Sequence, residues 1–308
     1  MLLGQQLGTY RPSTHGNHWD TTLAAARACE QAGLDSVWLP DHFMFPDHEH
    51  PEREVPVFEC FVALGAIAAA TSRVRIGALV AGVPYRNPAL LAKMSTTLDV
   101  ISHGRSIVGL GAAWHDEEFW AYGWPFPPVR ERMQRLEEAV RIVDLMMTQR
   151  PASFAGEHYT IKDAYNDPPA VQQPRPPIMI GGSGPRVTLR LVAQYADISN
   201  VSGSPDQVAR LYGILREHCE RVGRPFEQIT RCNNIGVLIA ADERELARKR
   251  ERFGDGFDLA GTPDAIVEGL RHYAQAGSQY VTFHMPDAQE IEPIRLFGET
   301  VVPAVAEL

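Results

Sequence analysis

The stretch Glu30-Gln-Ala-Gly-Leu-Asp-Ser-Val-Trp-Leu-Pro-Asp-His-Phe43 decides the fold. A helical run ends at Gly33, where glycine suits the left-handed C-cap, and the chain then enters the apolar run 36–39. The phrase Ala274-Gln-Ala-Gly277 repeats the same corner ahead of the apolar run 280–285. Working outward, apolar runs of strand length occur at residues 2–7, 36–39, 74–80, 106–111, 177–181, 198–201, 232–240 and 280–285. Between them lie helical stripes at steps of three and four, such as Leu91, Met94, Leu98 and Ile101, or Met133, Leu136, Val140, Val143 and Met147. This alternation is the signature of βα repetition and a parallel sheet. Its count predicts an α/β chain folded as a (β/α)8 TIM barrel, one domain over residues 1–308. The alternative, an open dinucleotide-binding sheet, calls for a G-x-G-x-x-G after the first strand, and none is there.

The chain has 308 residues, 44% hydrophobic and 22% charged, with a net charge of -9. These ordinary values exclude a disordered or collagen-like chain and a basic nucleic-acid binder. No run approaches the roughly 18 apolar residues of a membrane span, and residues 1–9 carry no charged segment followed by a long apolar one. The expectation is a cytoplasmic protein without nucleic-acid or membrane partners. Four cysteines, Cys29, Cys60, Cys219 and Cys232, contain no C-x-x-C pair and read as buried free thiols.

Two segments interrupt the rhythm. Residues 151–176 are proline-rich, with little helical period, and read as an inserted loop or short hairpin before the fifth strand. Residues 41–56 are polar and histidine-rich. Both are expected on strand-to-helix connections, the face where barrels keep their chemistry, either as lids and binding loops or packed on the rim. Asp47-His-Glu-His50, with His15, His18 and His42 near in sequence, invites a metal reading. It is a charged turn between Pro46 and Pro51, however, so a solvated loop is preferred and no metal is assigned.

Gly181-Gly-Ser-Gly184 lacks the G-x-S-x-G spacing of a catalytic serine. It does place glycines after a strand, Ser183 as an N-cap and Pro185 in a first helical turn, an arrangement suited to phosphate, with Arg186 and Arg190 adding positive charge. A phosphorylated ligand is the preferred reading, with a purely structural turn as the alternative. Strand two runs into Asp41 and His42, and a histidine at the barrel mouth can serve as acid, base or hydrogen-bond donor to a ring. Strand four ends in Gly111-Ala-Ala-Trp-His115, small residues against which a flat ring could lie, with Trp114 as a wall.

At these residues the sequence resembles the bacterial luciferase-like superfamily, and within it the coenzyme F420-dependent oxidoreductases. The likeness covers nearly the whole chain. It is carried by Ser36-Val-Trp-Leu-Pro-Asp-His-Phe43, Val74-Arg-Ile-Gly-Ala-Leu-Val80, Tyr85-Arg-Asn-Pro-Ala-Leu-Leu-Ala-Lys93, Gly104-Arg105, the segment from Gly111 to His115 and Glu118-Phe119. It continues in Pro174-Arg-Pro-Pro-Ile-Met-Ile-Gly-Gly-Ser-Gly184, Leu189-Arg-Leu-Val-Ala-Gln-Tyr-Ala-Asp197 and Gly261-Thr-Pro263. The resemblance implies a flavin or deazaflavin at the strands' C-terminal ends, its phosphate on Gly181, Gly182, Ser183 and Gly184. It also implies a cis peptide between non-proline residues at Leu79-Val80, beside Ala81, supporting the central ring. Asp41, His42, Gly111, Ala112, Ala113 and Trp114 complete the expected cofactor contacts. His42 is the expected catalytic residue, and Trp114, His115 and His284 are expected to face substrate.

Two departures matter. Relatives acting on sugar phosphates carry an acid at the end of strand four, where this chain has Ala112 and Ala113, and the usual small-Gly-Trp phrase reads Ala112-Ala-Trp114. Sugar-phosphate oxidation is therefore not expected. The expected activity is hydride transfer between F420 and a small carbonyl, alcohol or activated alkene. The alternatives are an FMN-dependent monooxygenase, supplied by a partner flavin reductase, and a non-catalytic flavin- or deazaflavin-binding protein. Family resemblance also implies a homodimer, with residues 63–70 as an apolar interface or simply core.

Overall fold

The computed structural model describes residues 1–8, 17–46 and 54–308. Eight parallel strands form its centre: β1 (Leu2–Gln6), β2 (Ser36–Leu39), β3 (Arg75–Ala78), β4 (Ser106–Gly111), β5 (Ile178–Gly181), β6 (Ile198–Ser202), β7 (Thr230–Ile239) and β8 (Tyr280–His284). Each pairs with the next in this numbering, β7 with β8 included (Cys232↔Tyr280), although a short extra strand lies between those two in sequence. Pairing of β8 with β1 (Leu3↔Val281) and of β4 with β5 (Met179↔Gly109) closes the sheet into a barrel. Eight helices, α1 (His18–Gln31), α2 (Cys60–Ala70), α3 (Pro88–Ile101), α4 (Val129–Thr148), α5 (Thr188–Tyr195), α6 (Pro205–Val222), α7 (Pro263–Gln275) and α8 (Glu292–Ala304), surround it. The expected (β/α)8 architecture is thus observed, and Gly33 and Gly277 take φ +85° and +101° at the two matching corners.

The barrel interior is a packed layer of Trp38, Ile107, Met179, Ile198, Cys232 and Tyr280. Trp38 fits because Gly77 faces it: a Cβ there would lie 2.6 Å from the indole Cζ3 and 2.5 Å from the Ile107 carbonyl oxygen. The indole N–H donates to Ser36 Oγ at 2.7 Å, and Ser36 pairs in turn with the Tyr280 hydroxyl, so this buried aromatic floor leaves those polar atoms satisfied. At the strands' N-terminal ends, Arg105 donates to the carbonyls of Val74 (2.7 Å), Ala68 (2.8 Å) and Thr71 (2.9 Å), tying α2 to the sheet.

One expectation is corrected here. Segment 151–176 does contain a hairpin, Ala152–Ala155 against Thr160–Ala164, but it follows α4 and precedes β5, so it is a helix-to-strand connection that leaves from the opposite face to the mouth. Its polar anchors lie on the outer helices. Glu138 of α4 accepts the N–H groups of Glu157 (2.7 Å), His158 (3.0 Å) and Tyr159 (2.9 Å). The buried carboxylate of Asp99 on α3 accepts those of Val171 (2.8 Å) and Gln172 (3.0 Å). Beyond the eight strands and their helices, the chain forms a helix over Glu243–Phe253 and a strand Leu259–Gly261 paired with β7. The four cysteines are buried and free. Among the described residues no helix is long and apolar enough to cross a membrane.

Candidate active site

The C-terminal end of β3 shapes the mouth. After Ala78 the Leu79-Val80 peptide is cis, and pairing resumes at Ala81 and Gly82 against Leu110 and Gly111 of β4. The Val80 side chain rests on glycines of two neighbouring strands. A Cβ on Gly111 would lie 2.5 Å from Val80 Cγ2, and one on Gly181 3.0 Å from both methyls. Asp41 anchors this segment: its Oδ2 accepts the Gly82 N–H at 3.0 Å, and Arg86 grips both oxygens at 2.6 and 2.9 Å. Arg86 also donates to Glu59 at 2.6 Å, whose other oxygen caps α2 through the Val62 N–H at 2.7 Å. Asp41 was expected to touch the cofactor; its buried carboxylate is engaged within the protein and fixes the loop beside the cis bond.

His42 follows β2 directly and is tied to a short helix, Asp116–Ala121, in the β4–α4 connection. Its Nδ1 lies 2.8 Å from Glu118 Oε1, the Phe43 N–H donates to Oε2 at 2.8 Å, and the Tyr85 hydroxyl donates to Oε1. Glu118 is 0% exposed. Burial alone would raise its pKa, but the hydrogen bonds from His42, Phe43 and Tyr85 outweigh it and hold the carboxyl below the usual glutamate value. Burial and the adjacent Glu118 carboxylate push the Tyr85 phenol above its ordinary range, so tyrosine stays the donor. Tyr85 stacks on Phe119 at 4.6 Å and meets Phe43 edge-on at 5.0 Å.

The His42 ring is bordered by Phe45, Trp114 and His115, with centroids 5.3, 5.5 and 5.9 Å away. Trp114 is 63% exposed, a broad aromatic surface turned to solvent at the mouth. His115 is buried, and among the described residues its Nε2 has no hydrogen-bond partner. The turn carrying them is set by Ala113, at φ +59°, and by Arg132, whose guanidinium donates to the carbonyls of Ala112 (3.2 Å) and Ala113.

Across the mouth, the 181–184 turn departs in detail from its sequence reading. Helix α5 begins at Thr188 after Val187, so Ser183 is not the N-cap and Pro185 precedes the helix. The Ser183 hydroxyl instead accepts the Ser202 N–H at 3.0 Å, joining the β5 and β6 ends. The Gly182 N–H donates to the Asn200 carbonyl at 2.9 Å, and no hydrogen bond among the described residues uses the N–H groups of Ser183 and Gly184. Arg190 is paired with Glu137 at 3.0 Å and is not free for a ligand, whereas Arg186 is exposed beside the turn. His284 stands exposed at the end of β8, with Phe257 at 6.5 Å. His15 and the Asp47-to-His50 turn lie outside the described residues.

A family model described as luciferase-like monooxygenase matches residues 1–258. The chain belongs to the luciferase-like monooxygenase family. It is similar to an F420-dependent glucose-6-phosphate dehydrogenase of Kineococcus radiotolerans, 30% identical over 311 residues and covering 89% of each chain. An uncharacterized protein of Mycobacterium tuberculosis is 33% identical over 270 residues, covering 83% of this chain and 92% of that one. Among solved structures, an F420-dependent secondary alcohol dehydrogenase in complex with an F420-acetone adduct superposes with a TM-score of 0.83 at 21% identity, covering 99% and 98% of the two chains. The EDTA monooxygenase of Chelativorans also reaches 0.83, at 17% identity over 98% and 92%. At these identities the structural likenesses speak for the fold.

Within this luciferase-like barrel, sequence reasoning had not nominated Glu118, Tyr85, Arg86 or Arg132 for the site. The first three stood inside the segments that carry the family resemblance, which was the available signal. Arg132 sits on a helix face and gave none.

Proposed function

We propose that the chain is an F420-dependent oxidoreductase that transfers hydride between the deazaflavin and a small carbonyl, alcohol or activated alkene. One observation carries the reading: a floor of small residues on the β4 and β5 ends converges with His42, held at Nδ1 and bordered by aromatic rings. The residues fit the group. A Cβ at Gly111 or Gly181 would displace Val80, and among the described residues the His115 Nε2 is buried without a partner and the Ser183 and Gly184 N–H groups are unused, as an anion site needs. The names of several relatives, F420-dependent dehydrogenases at 27–30% identity, point the same way.

Leu79, Val80 and Ala81, with Gly111, Ala112, Ala113 and Trp114, would hold the ring, and Gly181, Gly182, Ser183 and Gly184 the phosphate. A bound deazaflavin supplies two-electron hydride chemistry, having carbon where a flavin has its reactive nitrogen. With it bound, His42 would handle the accompanying proton and Trp114 would wall the mouth, while Ala112 and Ala113 leave no acid at the end of β4 for a sugar phosphate. The test is turnover: a panel of secondary alcohols and ketones should change the visible absorbance of F420 or its reduced form, with no oxygen consumed. Oxygen uptake with reduced FMN, and no turnover with F420, would replace this reading by the monooxygenase one.

The finer partner assignment is a homodimer. Helix α2 contains no charged residue and leaves Val62 75% exposed, an apolar face that a second copy would cover. Sedimentation of the purified protein at monomer mass would overturn it. Four buried free thiols support a cytoplasmic setting.

A further inference from the structure

We propose that Glu118 is a positioning residue that fixes the tautomer of His42, so that the neutral ring presents a proton-accepting Nε2 to the barrel mouth. The inference rests on the reading of His42 as the proton-handling group, but its structural half stands on the protein alone. Glu118 is fully buried, and both of its oxygens are engaged: Oε1 by His42 Nδ1 at 2.8 Å and by the Tyr85 hydroxyl, Oε2 by the Phe43 N–H at 2.8 Å. An ionised carboxylate only accepts, so His42 must supply the proton between Nδ1 and Oε1. The neutral ring then carries its lone pair on Nε2 at the opposite edge.

Three connections meet at this one carboxylate. His42 and Phe43 come from the end of β2, Tyr85 from the turn after the Leu79-Val80 peptide, and Glu118 from the helix after β4. The aromatic contacts of Tyr85 with Phe119 and Phe43 hold the phenol in place, so the acceptor geometry does not depend on solvent. Among the described residues the groups facing His42 are Glu118, His115, Trp114 and Phe45, with Tyr85 and Arg86 one contact further out. Among them only Glu118 binds Nδ1. A bound deazaflavin would supply the hydride chemistry; Nε2 would then take the substrate hydroxyl proton in alcohol oxidation, and the imidazolium would return it to the carbonyl oxygen in reduction.

Replacing Glu118 by glutamine keeps the size, and because the Phe43 N–H holds the amide oxygen at the Oε2 position, the amide NH2 takes the Oε1 position and turns an N–H toward His42 Nδ1 and the Tyr85 hydroxyl oxygen. The ring then carries its proton on Nε2, the wrong nitrogen for a base. The direct readout is the two-bond 1H–15N spectrum of ring-labelled histidine in the cofactor-free protein, with His42→Ala assigning the signals. We expect His42 in the parent protein to be the Nδ1–H tautomer when neutral, and Glu118→Gln to shift it toward Nε2–H. Kinetically, Glu118→Gln should lower kcat by roughly 10²-fold or more while the F420 Kd changes less than about threefold, and Glu118→Asp should recover part of the loss. A parent spectrum showing Nε2–H would overturn the proposal, whether or not the variant folds. So would an unchanged tautomer in a folded Glu118→Gln. Failure of F420 to bind would strike the proposed function and leave the tautomer result intact.

Discussion

Gly111→Ala tests the cradle under Val80. The added Cβ would lie 2.5 Å from Val80 Cγ2, whereas carbon atoms rest at about 3.5–4.0 Å, so the valine or the β4 backbone must move by about 1 Å. Over-packing of this kind costs roughly 1–3 kcal/mol. The φ of Gly111 is not in the left-handed region, so the backbone itself accepts alanine, and the cost belongs to the contact. Val80→Ala removes the clashing methyls. In that background the same Gly111→Ala change should be neutral or slightly stabilising, since glycine in a strand is worth about 0.5–1 kcal/mol less than alanine. The coupling in the double-mutant cycle should therefore be about 1–3 kcal/mol. Urea midpoints at constant slope measure it, and F420 titrations of the same proteins report whether the displaced Val80 spoils the ring's seat. If Gly111→Ala costs the same with and without Val80, the cradle is not what keeps this position glycine.

Other consequences follow from named contacts. His42→Ala should lower kcat by about 10²-fold or more with a small change in cofactor Kd; steady-state kinetics beside direct titration would show the reverse if His42 only binds. Arg86→Met strands the buried Asp41 carboxylate and should cost about 3–5 kcal/mol near neutral pH. Burial then raises the Asp41 pKa with only the Gly82 N–H opposing it, so stability lost at neutral pH should partly return on acidification, and a pH-independent loss in thermal unfolding would contradict this. Glu118 runs the other way. Its folded pKa lies below the unfolded value of about 4.3, so its contribution is complete above that value and vanishes as pH falls through the folded one. The stability gap between the parent and Glu118→Gln, followed by urea midpoints, should narrow across that acid window.

The barrel was legible because its strands are enclosed by helices and read as uninterrupted apolar runs, and because Gly33 and Gly277 mark equivalent corners. The mouth was legible at His42, Trp114 and the 181–184 turn, where special residues directly follow strands. What escaped detection depends on long-range partners. Glu118 is one acid among Asp116, Glu117 and Glu118, and only the fold shows that it alone is buried against His42 and Tyr85. Asp41 stands next to His42 in sequence, yet Arg86 claims it. Ser183 sits where an N-cap belongs, but α5 starts later and the β6 end takes its hydroxyl. The 151–176 insertion was placed on the wrong face because proline content reveals an interruption without showing which end of the barrel it leaves. The helix at Glu243–Phe253 buries only Leu246, too little apolar stripe to announce itself.

The proposed function places a deazaflavin at this mouth. The most direct test is equilibrium titration of the purified protein with oxidised F420 and, separately, with FMN, followed by calorimetry or the change in cofactor fluorescence. Saturable one-to-one binding of F420, roughly tenfold or more tighter than that of FMN, is the expected result. Saturable FMN binding with no affinity for F420 would contradict it.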